Sequence, residues 1–341
     1  MARTLGLLLL LAPVSAWAQT GSDSGPIIDM HLHAMTADAQ GPPPLAMCTP
    51  IEQFPVWDPQ GPYAQTFMTV LKSPACDDPI WSPETDAEVM RRTIEAMERH
   101  DVYGVLSGDP RRVTEWQGNA PGRFIRGLGF NVASSGVSPD SLRTLFGQGS
   151  VEVLAEVSNQ YAGIAPDSPE MAPYWALAEE LDIPVGIHIG PGPPGVKYLG
   201  APGYRASLHS ALTLEPVLER HPNLRVYIMH AGFPMLDDLL TLLYAHPQVY
   251  VDIGVIVYTR PDFDLYLQRI VQAGHANRVM FGSDQMVWPE TIDRSIDRIR
   301  SAEYLTAQQK RDILYNNAAR FLRLTDDEVA RHHGRGEAAL P

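Results

Sequence analysis

Histidine and aspartate residues follow several short apolar segments of this sequence. His31 and His33 are separated by one residue inside an apolar segment, and a strand would point both imidazoles to the same face. His188 and His230 each end a later apolar segment, and Asp284 ends another. Imidazole and carboxylate groups are the usual nitrogen and oxygen ligands of Zn²⁺, Mn²⁺ and Fe²⁺. The set predicts a site for a divalent metal ion if the fold brings these segment ends together.

The apolar segments alternate with helical segments, as in a parallel α/β fold. Eight strands are predicted, at 26–33, 103–107, 124–131, 151–157, 184–189, 225–229, 249–255 and 279–281. No Gly-x-Gly-x-x-Gly turn follows the first strand, so the sequence lacks the phosphate-binding turn of a dinucleotide-binding fold. Eight strand–helix units with polar residues at the carboxyl ends of the strands predict a (β/α)8 TIM barrel.

The first 18 residues have the features of a secretory signal peptide. Arg3 precedes an apolar run from Leu7 to Val14, and residues 16–18 supply a small-x-small cleavage pattern. We therefore expect a periplasmic or secreted protein, with one domain over 19–330 and a loose tail over 331–341. A buried first helix is the alternative. No later segment approaches about 18 uninterrupted apolar residues, so no membrane span is expected after cleavage.

Segment 35–82 interrupts the alternation of strands and helices. It shows no clear periodicity and is rich in proline, aspartate and glutamine, so we interpret it as a long insertion after strand 1, over the barrel mouth, where it would form a lid. It contains both cysteines of the chain, Cys48 and Cys76. Export would favour a disulfide between them, and two buried free thiols are the alternative.

The charge balance excludes some classes of partner. The chain of 341 residues has 40 acidic and 26 basic residues, which gives a formal net charge of −14. Such an acidic chain is a poor match for nucleic acid or an anionic membrane, because both are bound through basic surfaces. We expect a small-molecule substrate, and a homo-oligomer remains open.

Taken together, these motifs resemble the amidohydrolase superfamily, specifically the amidohydrolase-related branch that includes aminocarboxymuconate-semialdehyde decarboxylase-like enzymes. The resemblance rests on residues 28–33, on His188 after strand five, on His230-Ala231-Gly232 after strand six and on residues 281–284. The segment 316–322 is similar to the closing helix of that branch. We cannot place the insertion 35–82 within the family.

The resemblance implies a role for each residue of the set. His31, His33, His188 and Asp284 look like the ligands of a single divalent metal ion, with Zn²⁺ as the first candidate and Mn²⁺ or Fe²⁺ as alternatives. Such an ion lowers the pKa of bound water toward neutrality. Asp284 would take the proton of that water as general base, and His230 would orient the water or polarise the substrate carbonyl.

Lysine is scarce, which bears on the number of metal ions. None of the three lysines, Lys72, Lys197 and Lys310, lies near the end of predicted strand four. Relatives with two metals can bridge them with a carboxylated lysine there, so that bridge is excluded. Glu156 ends this strand instead, and we interpret it as hydrogen-bonded in the barrel mouth; a bridge to a second metal is the alternative. Asp29 is interpreted as structural support.

The loop after strand five offers the candidate substrate contacts. Lys197, Tyr204 and Arg205 are candidates for binding an anionic or carbonyl group, and Arg260 and Trp288 are candidates for the rim of the mouth.

The leading functional hypothesis is hydrolysis of an amide, lactone or ester by a metal-activated water. Non-oxidative decarboxylation of a small carboxylic acid on the same metal site is the first alternative. The second, from a different class, is an exported binding protein on an inactive barrel.

Overall fold

The computed structural model describes residues 25–334. The predicted signal peptide and residues 335–341 of the predicted tail lie outside this range. Within it, none of the helices combines the length and the apolarity that a membrane crossing requires.

Eight parallel strands alternate with helices, as the sequence predicts. They are β1 (Ile27–Ala34), β2 (Val102–Gly108), β3 (Phe124–Arg126), β4 (Leu154–Val157), β5 (Val185–His188), β6 (Val226–Met229), β7 (Tyr250–Asp252) and β8 (Val279–Met280). In chain order, β1 to β3 form a three-stranded sheet and β4 to β8 a five-stranded sheet. Every residue of β1 is buried, although the polar residues Asp29, His31 and His33 alternate with apolar ones along it.

Backbone contacts join the two sheets at both edges. Two isolated parallel bridges connect the segment after β3 with the region of β4. At the other edge, Met30 N donates a hydrogen bond to Phe281 O at 2.9 Å, and Asp284 N donates one to His31 O at 2.8 Å. The strands thus follow one another around a (β/α)8 barrel, and the last bond sets Asp284 beside His31.

The α-helices lie mainly in the connections between the strands. They are α1 (Tyr63–Lys72), α2 (Asp86–Arg99), α3 (Pro110–Asn119), α4 (Pro139–Gly147), α5 (Ala172–Glu180), α6 (Glu215–Arg220), α7 (Leu236–Ala245), α8 (Ile256–Thr259), α9 (Phe263–Gln272), α10 (Thr291–Ser301), α11 (Ala307–Arg311), α12 (Asn317–Leu322) and α13 (Asp326–His332). A π-helix, Asp312–Asn316, links α11 to α12, and short 3-10 helices include His230–Gly232 directly after β6.

The insertion 35–82 contains regular structure that its sequence did not predict. It carries α1 and two short antiparallel strands, Ala46–Met47 and Ile80–Trp81. Helix α1 has an apolar stripe that sequence reasoning missed, because Tyr63, Phe67 and Leu71 are spaced at i, i+4 and i+8 and pack toward the core. Cys48 and Cys76 are disulfide-bonded, so the bond ties together the two ends of this segment.

The last helix of the described chain extends into the segment that the sequence predicts to be a loose tail. Helix α13 continues to His332, and it begins at a capping box formed by Thr325 and Glu328. The His332 ring stacks on the Tyr103 ring of β2, with 3.7 Å between the ring centres. Helix α13 therefore includes the first two residues of the predicted tail, because packing against β2 holds the helix in place.

Candidate metal centre

Six imidazole and carboxylate side chains from five strand ends meet at one end of the barrel. They are His31 and His33 of β1, Glu156 of β4, His188 of β5, His230 after β6 and Asp284 after β8. Glu156 is partly buried and the other five are buried. The sequence placed all six residues on strands or at strand ends, and the barrel brings those ends to the same place.

Three donor atoms of this cluster form a compact triangle. His31 Nε2 lies 3.1 Å from His33 Nε2, and Asp284 Oδ1 lies 3.1 Å from His33 Nε2 and 3.7 Å from His31 Nε2. Ligand atoms at about 2.05 Å from a tetrahedral Zn²⁺ are about 3.3 Å apart. The three separations therefore match one face of a metal tetrahedron.

The outer nitrogens of the histidines fix which nitrogen faces the centre. His31 Nδ1 lies 3.1 Å from Asp252 Oδ2, and His188 Nδ1 lies 3.0 Å from Gln160 Oε1. Both partners are acceptors, so each Nδ1 carries the proton and each Nε2 presents a lone pair to the centre. A lone pair on His31 Nε2 that faces His33 Nε2 at 3.1 Å needs a proton or a cation between the two nitrogens. The donor set therefore fits a metal ion.

Glu156 lies between the triangle and His188. Its Oε2 is 3.7 Å from His33 Nε2 and 4.0 Å from His31 Nε2, while its Oε1 is 3.7 Å from His188 Nε2. Two groups with metal-binding geometry include Glu156, one with His31 and His33 and one with His188 and His230. The fourth predicted ligand, His188, thus contacts the triangle through Glu156.

Charges in the cluster shift the pKa values of its members. Burial alone would lower the pKa of His31, but the carboxylates of Asp284 and Asp252 outweigh it and raise that pKa to about 10. Burial would raise the pKa of Asp284, but His31 and His33 hold it below its usual value. Burial lowers the pKa of His188 well below its usual value. The triangle is therefore a place where positive charge is stabilised.

Two buried aspartates support the centre from outside. Asp29 accepts hydrogen bonds from His31 N at 2.9 Å and Ser283 N at 3.0 Å, and burial raises its pKa to about 6. Because both donors are backbone groups, Asp29 supports the structure around the centre. Asp252 accepts hydrogen bonds from His230 N at 3.0 Å and from Gly254 N at 2.9 Å, in addition to its contact with His31. Sequence reasoning missed Asp252, although a charged residue inside the apolar segment 249–255 was a usable signal.

The backbone turns sharply at two strand ends of the site. His230 has φ of 60° and Asp284 has φ of 53°, in the left-handed region that costs a non-glycine residue about 1 kcal/mol. Such strain is typical of functional sites, where the surrounding structure holds the residue in place. Gly254 is required for a different reason, since a Cβ there would lie 2.7 Å from His31 Nδ1.

A cavity of about 1700 Å³ opens above the centre. Its floor includes His33, Glu156, His230 and Asp284. Much of its wall comes from the insertion 35–82 and is apolar, with contributions from Met47, Ile51, Phe54, Trp57, Tyr63 and Phe67. The Tyr63 hydroxyl donates a hydrogen bond to Pro194 O at 2.7 Å, which joins the insertion to the loop after β5.

The predicted substrate contacts in the loop after β5 are not where the sequence suggested. Lys197 and Arg205 are exposed, and neither lines the cavity, because the loop turns their side chains toward solvent. Arg260 and Trp288 do line it. Trp288 Nε1 donates a hydrogen bond to Leu45 O at 2.8 Å and so anchors the insertion to the barrel.

Tyr204 is buried behind the loop and does not line the cavity. Its hydroxyl contacts Gly190 O at 3.0 Å and His209 Nε2 at 2.5 Å, and it accepts a hydrogen bond from Gly192 N at 3.0 Å. The residue therefore shapes the loop. Another tyrosine, Tyr161, was missed: it lines the cavity, and its hydroxyl lies 3.2 Å from His188 Nε2.

Comparison with known proteins gives one family and several structural relatives. The family model described as Amidohydrolase matches residues 28–324. No curated protein matches the chain significantly.

Three solved structures illustrate the likeness. An uncharacterised TIM-barrel protein from Bordetella bronchiseptica has a TM-score of 0.60 and 15% identity, over 90% of this chain and 100% of its own. A probable 2-pyrone-4,6-dicarboxylic acid hydrolase from Acinetobacter baumannii has a TM-score of 0.54 and 17% identity, over 87% and 99%. A dihydroxybenzoic acid decarboxylase from a Polaromonas species, with bound manganese, has a TM-score of 0.56 and 15% identity, over 89% and 99%. At these identities the likeness shows the fold.

Proposed function

Since this chain belongs to the amidohydrolase superfamily, whose members are metal-dependent hydrolases or decarboxylases, we propose that it is a metal-dependent hydrolase of an amide, lactone or ester bond. The observation that carries this proposal is the triangle of His31, His33 and Asp284 on the floor of a large cavity. It combines metal-binding nitrogens with a carboxylate that is ionised at neutral pH.

We infer that one divalent ion is held by His31, His33 and Asp284. His188 is the fourth ligand implied by the family resemblance, and Glu156 competes with it because its carboxylate lies 3.7 Å from both His33 Nε2 and His188 Nε2. Zn²⁺ is our first candidate, and Mn²⁺, which the Polaromonas decarboxylase binds, is the second. An ion held there would supply Lewis acidity and make hydroxide available near neutral pH.

Asp284 is suited to accept a proton from the attacking water. Its Oδ1 faces the two imidazoles of β1, and its Oδ2 lies 4.0 Å from His230 Nδ1. Its position between the β1 histidines and His230 puts this carboxylate within reach of a water molecule held at the centre.

His230 is suited to orient the same water. Its Nδ1 donates a hydrogen bond to Gly254 O at 2.9 Å, so in the neutral ring Nε2 is an acceptor. An acceptor can hold a water proton, whereas polarising a substrate carbonyl requires a donor. Of the two roles predicted for His230, the neutral tautomer favours water orientation.

The preference for hydrolysis over decarboxylation rests on the predicted export, because an exported enzyme meets scavenged compounds more often than the intermediates of a pathway.

A substrate screen with two readouts tests the proposal. Lactones, amides, esters and aromatic carboxylic acids would be incubated with the metal-loaded protein, with hydrolysis followed by acid release and decarboxylation by CO₂. We expect hydrolysis without CO₂. Release of CO₂ from an acid would establish the decarboxylase alternative, and ligand binding without turnover of any class would support the binding protein.

We also propose that the protein acts outside the cytoplasm. The Cys48–Cys76 disulfide supports this, since such bonds persist in oxidising compartments. Cell fractionation tests it, and recovery of the protein with its cysteines reduced from the cytoplasm would contradict it.

A further inference from the structure

Arg260 lies in the wall of the cavity above the metal centre, directly after α8. Its guanidinium carbon is 5.0 Å from the centre of the Phe54 ring and 5.0 Å from that of the Phe233 ring, and both phenylalanines also line the cavity. Aromatic faces attract a cation at this distance. Phe54 from the insertion and Phe233 from the barrel therefore hold the guanidinium in place.

The guanidinium of Arg260 has few polar partners of its own. Among the described residues it donates no hydrogen bond, and its buried Nε has no acceptor. Its ion-pair contact is Asp262, whose Oδ1 lies 3.6 Å from Nε. The Asp262 side chain is 54% exposed, so water screens this pair. An acceptor supplied by a ligand would satisfy donors that the protein leaves unpaired.

Arg260 is also the best available anion site in the cavity. Among the described residues that line the cavity, the other basic side chain is Arg294, which is ion-paired with Asp78. Lys197 and Arg205 lie outside the cavity. An anionic group that enters it therefore has one guanidinium that is not already committed to a close carboxylate.

The remaining wall indicates the body of the ligand. The insertion contributes mainly apolar and aromatic side chains, among them Ile51, Trp57, Phe67 and Met68. The volume of about 1700 Å³ exceeds the roughly 300–1,000 Å³ of an ordinary small-molecule pocket. A ligand that fills this space has an apolar body larger than a single ring.

We propose that Arg260, held by Phe54 and Phe233, is an anion subsite, and that the substrate is a carboxylate with an extended apolar body lying along the insertion. The identification as substrate rests on the proposed hydrolysis, since the scissile bond must reach the metal centre while the carboxylate stays at Arg260. The planar guanidinium matches a carboxylate through two parallel hydrogen bonds. The insertion sets specificity in this arrangement, because it supplies both Phe54 and the apolar wall.

Binding is measured on metal-depleted protein. The probe is then not turned over, and its carboxylate cannot bind the metal ion in place of Arg260. Calorimetry would compare 2-naphthoate, its neutral analogue 2-naphthamide, and acetate, which has the charge without the apolar body. We expect 2-naphthoate to bind at least about 10-fold more tightly than either of the others. Arg260→Gln should remove the preference for 2-naphthoate over 2-naphthamide, and Arg260→Lys should weaken it several-fold.

Two further variants serve as controls. Arg269→Gln removes an exposed charge on α9 that does not line the cavity, so it should leave the affinity for 2-naphthoate unchanged. Trp57→Ala should weaken both naphthyl probes by a similar factor, because it shortens the apolar wall and leaves the guanidinium in place.

Equal affinities of wild-type protein for 2-naphthoate and 2-naphthamide would overturn the proposal. Equal effects of Arg260→Gln and Arg269→Gln on the binding of 2-naphthoate would also overturn it. These outcomes do not depend on catalysis. If the substrate screen finds no hydrolysis but the protein still prefers 2-naphthoate to 2-naphthamide through Arg260, the hydrolase proposal is rejected and the anion subsite stands.

Discussion

Asp252 illustrates how a residue that binds no metal controls the residues that do. It is fully buried, it fixes the tautomer of His31, and it accepts the backbone N–H of His230. Burial would raise its pKa, but the charge of His31 and their hydrogen bond lower it, so the carboxylate is ionised. Outer carboxylates of this kind orient a histidine and make it a stronger ligand.

We expect Asp252→Asn to weaken metal binding by about 10–100-fold while the protein still folds. The amide keeps the shape of the side chain and loses the charge that supports His31. Competition with a chelator measures the affinity. The exposed Asp297→Asn serves as the matched control, and equal affinities of the two variants would show that Asp252 has no such role.

The carboxylate of Asp284 is the residue on which the proposed chemistry depends. Asp284→Asn removes the proton acceptor, so we expect turnover to fall by about 10²–10⁴-fold or more. Metal content should be measured on the same sample, because the variant also weakens a ligand. Full activity of Asp284→Asn would refute its role as base.

Single residues of the site could be predicted where local geometry decides. The spacing of His31 and His33 on one strand determines that both face the same way, whatever the rest of the chain does. Asp252 and His31 are 221 positions apart, and their contact exists only because the barrel places them together. Lys197 and Arg205 lie outside the cavity for a similar reason, since the path of a loop decides which of its side chains reach a cavity.

The insertion 35–82 is joined to the barrel at several points. It is tied to the barrel by the hydrogen bond from Ile51 N to Thr259 O at 2.9 Å and by the bond from Trp288 to Leu45, and it is closed on itself by the Cys48–Cys76 disulfide. Its residues form much of the cavity wall. We propose that it acts as a lid whose order the disulfide maintains.

Reduction of the disulfide should loosen the lid and leave the barrel folded. A bond that closes a loop of this size stabilises by roughly 3 kcal/mol. Treatment with dithiothreitol should therefore make 35–82 the first segment cut by protease and should reduce activity. Unchanged proteolysis and unchanged activity after verified reduction would contradict the lid.

Helix α13 gives a pH-dependent contribution to stability. Burial against Tyr103 and Tyr315 lowers the pKa of His332 from 6.5 to about 4. The unfolded chain therefore binds this proton at a higher pH than the folded chain does. The stabilisation is fully present above pH 6.5 and is lost as the pH falls from 6.5 to about 4.

His332→Gln should flatten this pH dependence. Since the ring is partly exposed, the effect is discounted to about 1 kcal/mol. Urea unfolding of both proteins at several pH values between 4 and 7 measures it. Parallel curves for the two proteins across that window would show that His332 does not couple stability to pH.

The elements of the barrel were predictable because buried parallel strands are continuous apolar runs. All eight predicted strands exist, although β3 to β8 are shorter than their apolar segments. Helix α1 and helix α13 were not predicted. The first has a short apolar stripe of Tyr63, Phe67 and Leu71 that was missed inside a segment rich in proline, and the second owes its order to a contact with β2.

At the scale of the whole molecule, the barrel brings strand ends that are far apart in the sequence together at one site. β1 and β8 lie at opposite ends of the sequence, and their backbone contact sets His31 beside Asp284. The number of strand–helix units made the fold predictable. The distances at the centre, and the position of Glu156 between two histidine groups, required the closed arrangement of the strands.

The metal content of the purified protein tests the central claim most directly. Elemental analysis after reconstitution with Zn²⁺ or Mn²⁺ should return about one equivalent per chain. His31→Ala should return almost none, with its secondary structure retained. Two equivalents would instead indicate that Glu156 bridges a second ion toward His188 and His230. A folded wild-type protein that binds no divalent metal under any reconstitution condition would contradict the account.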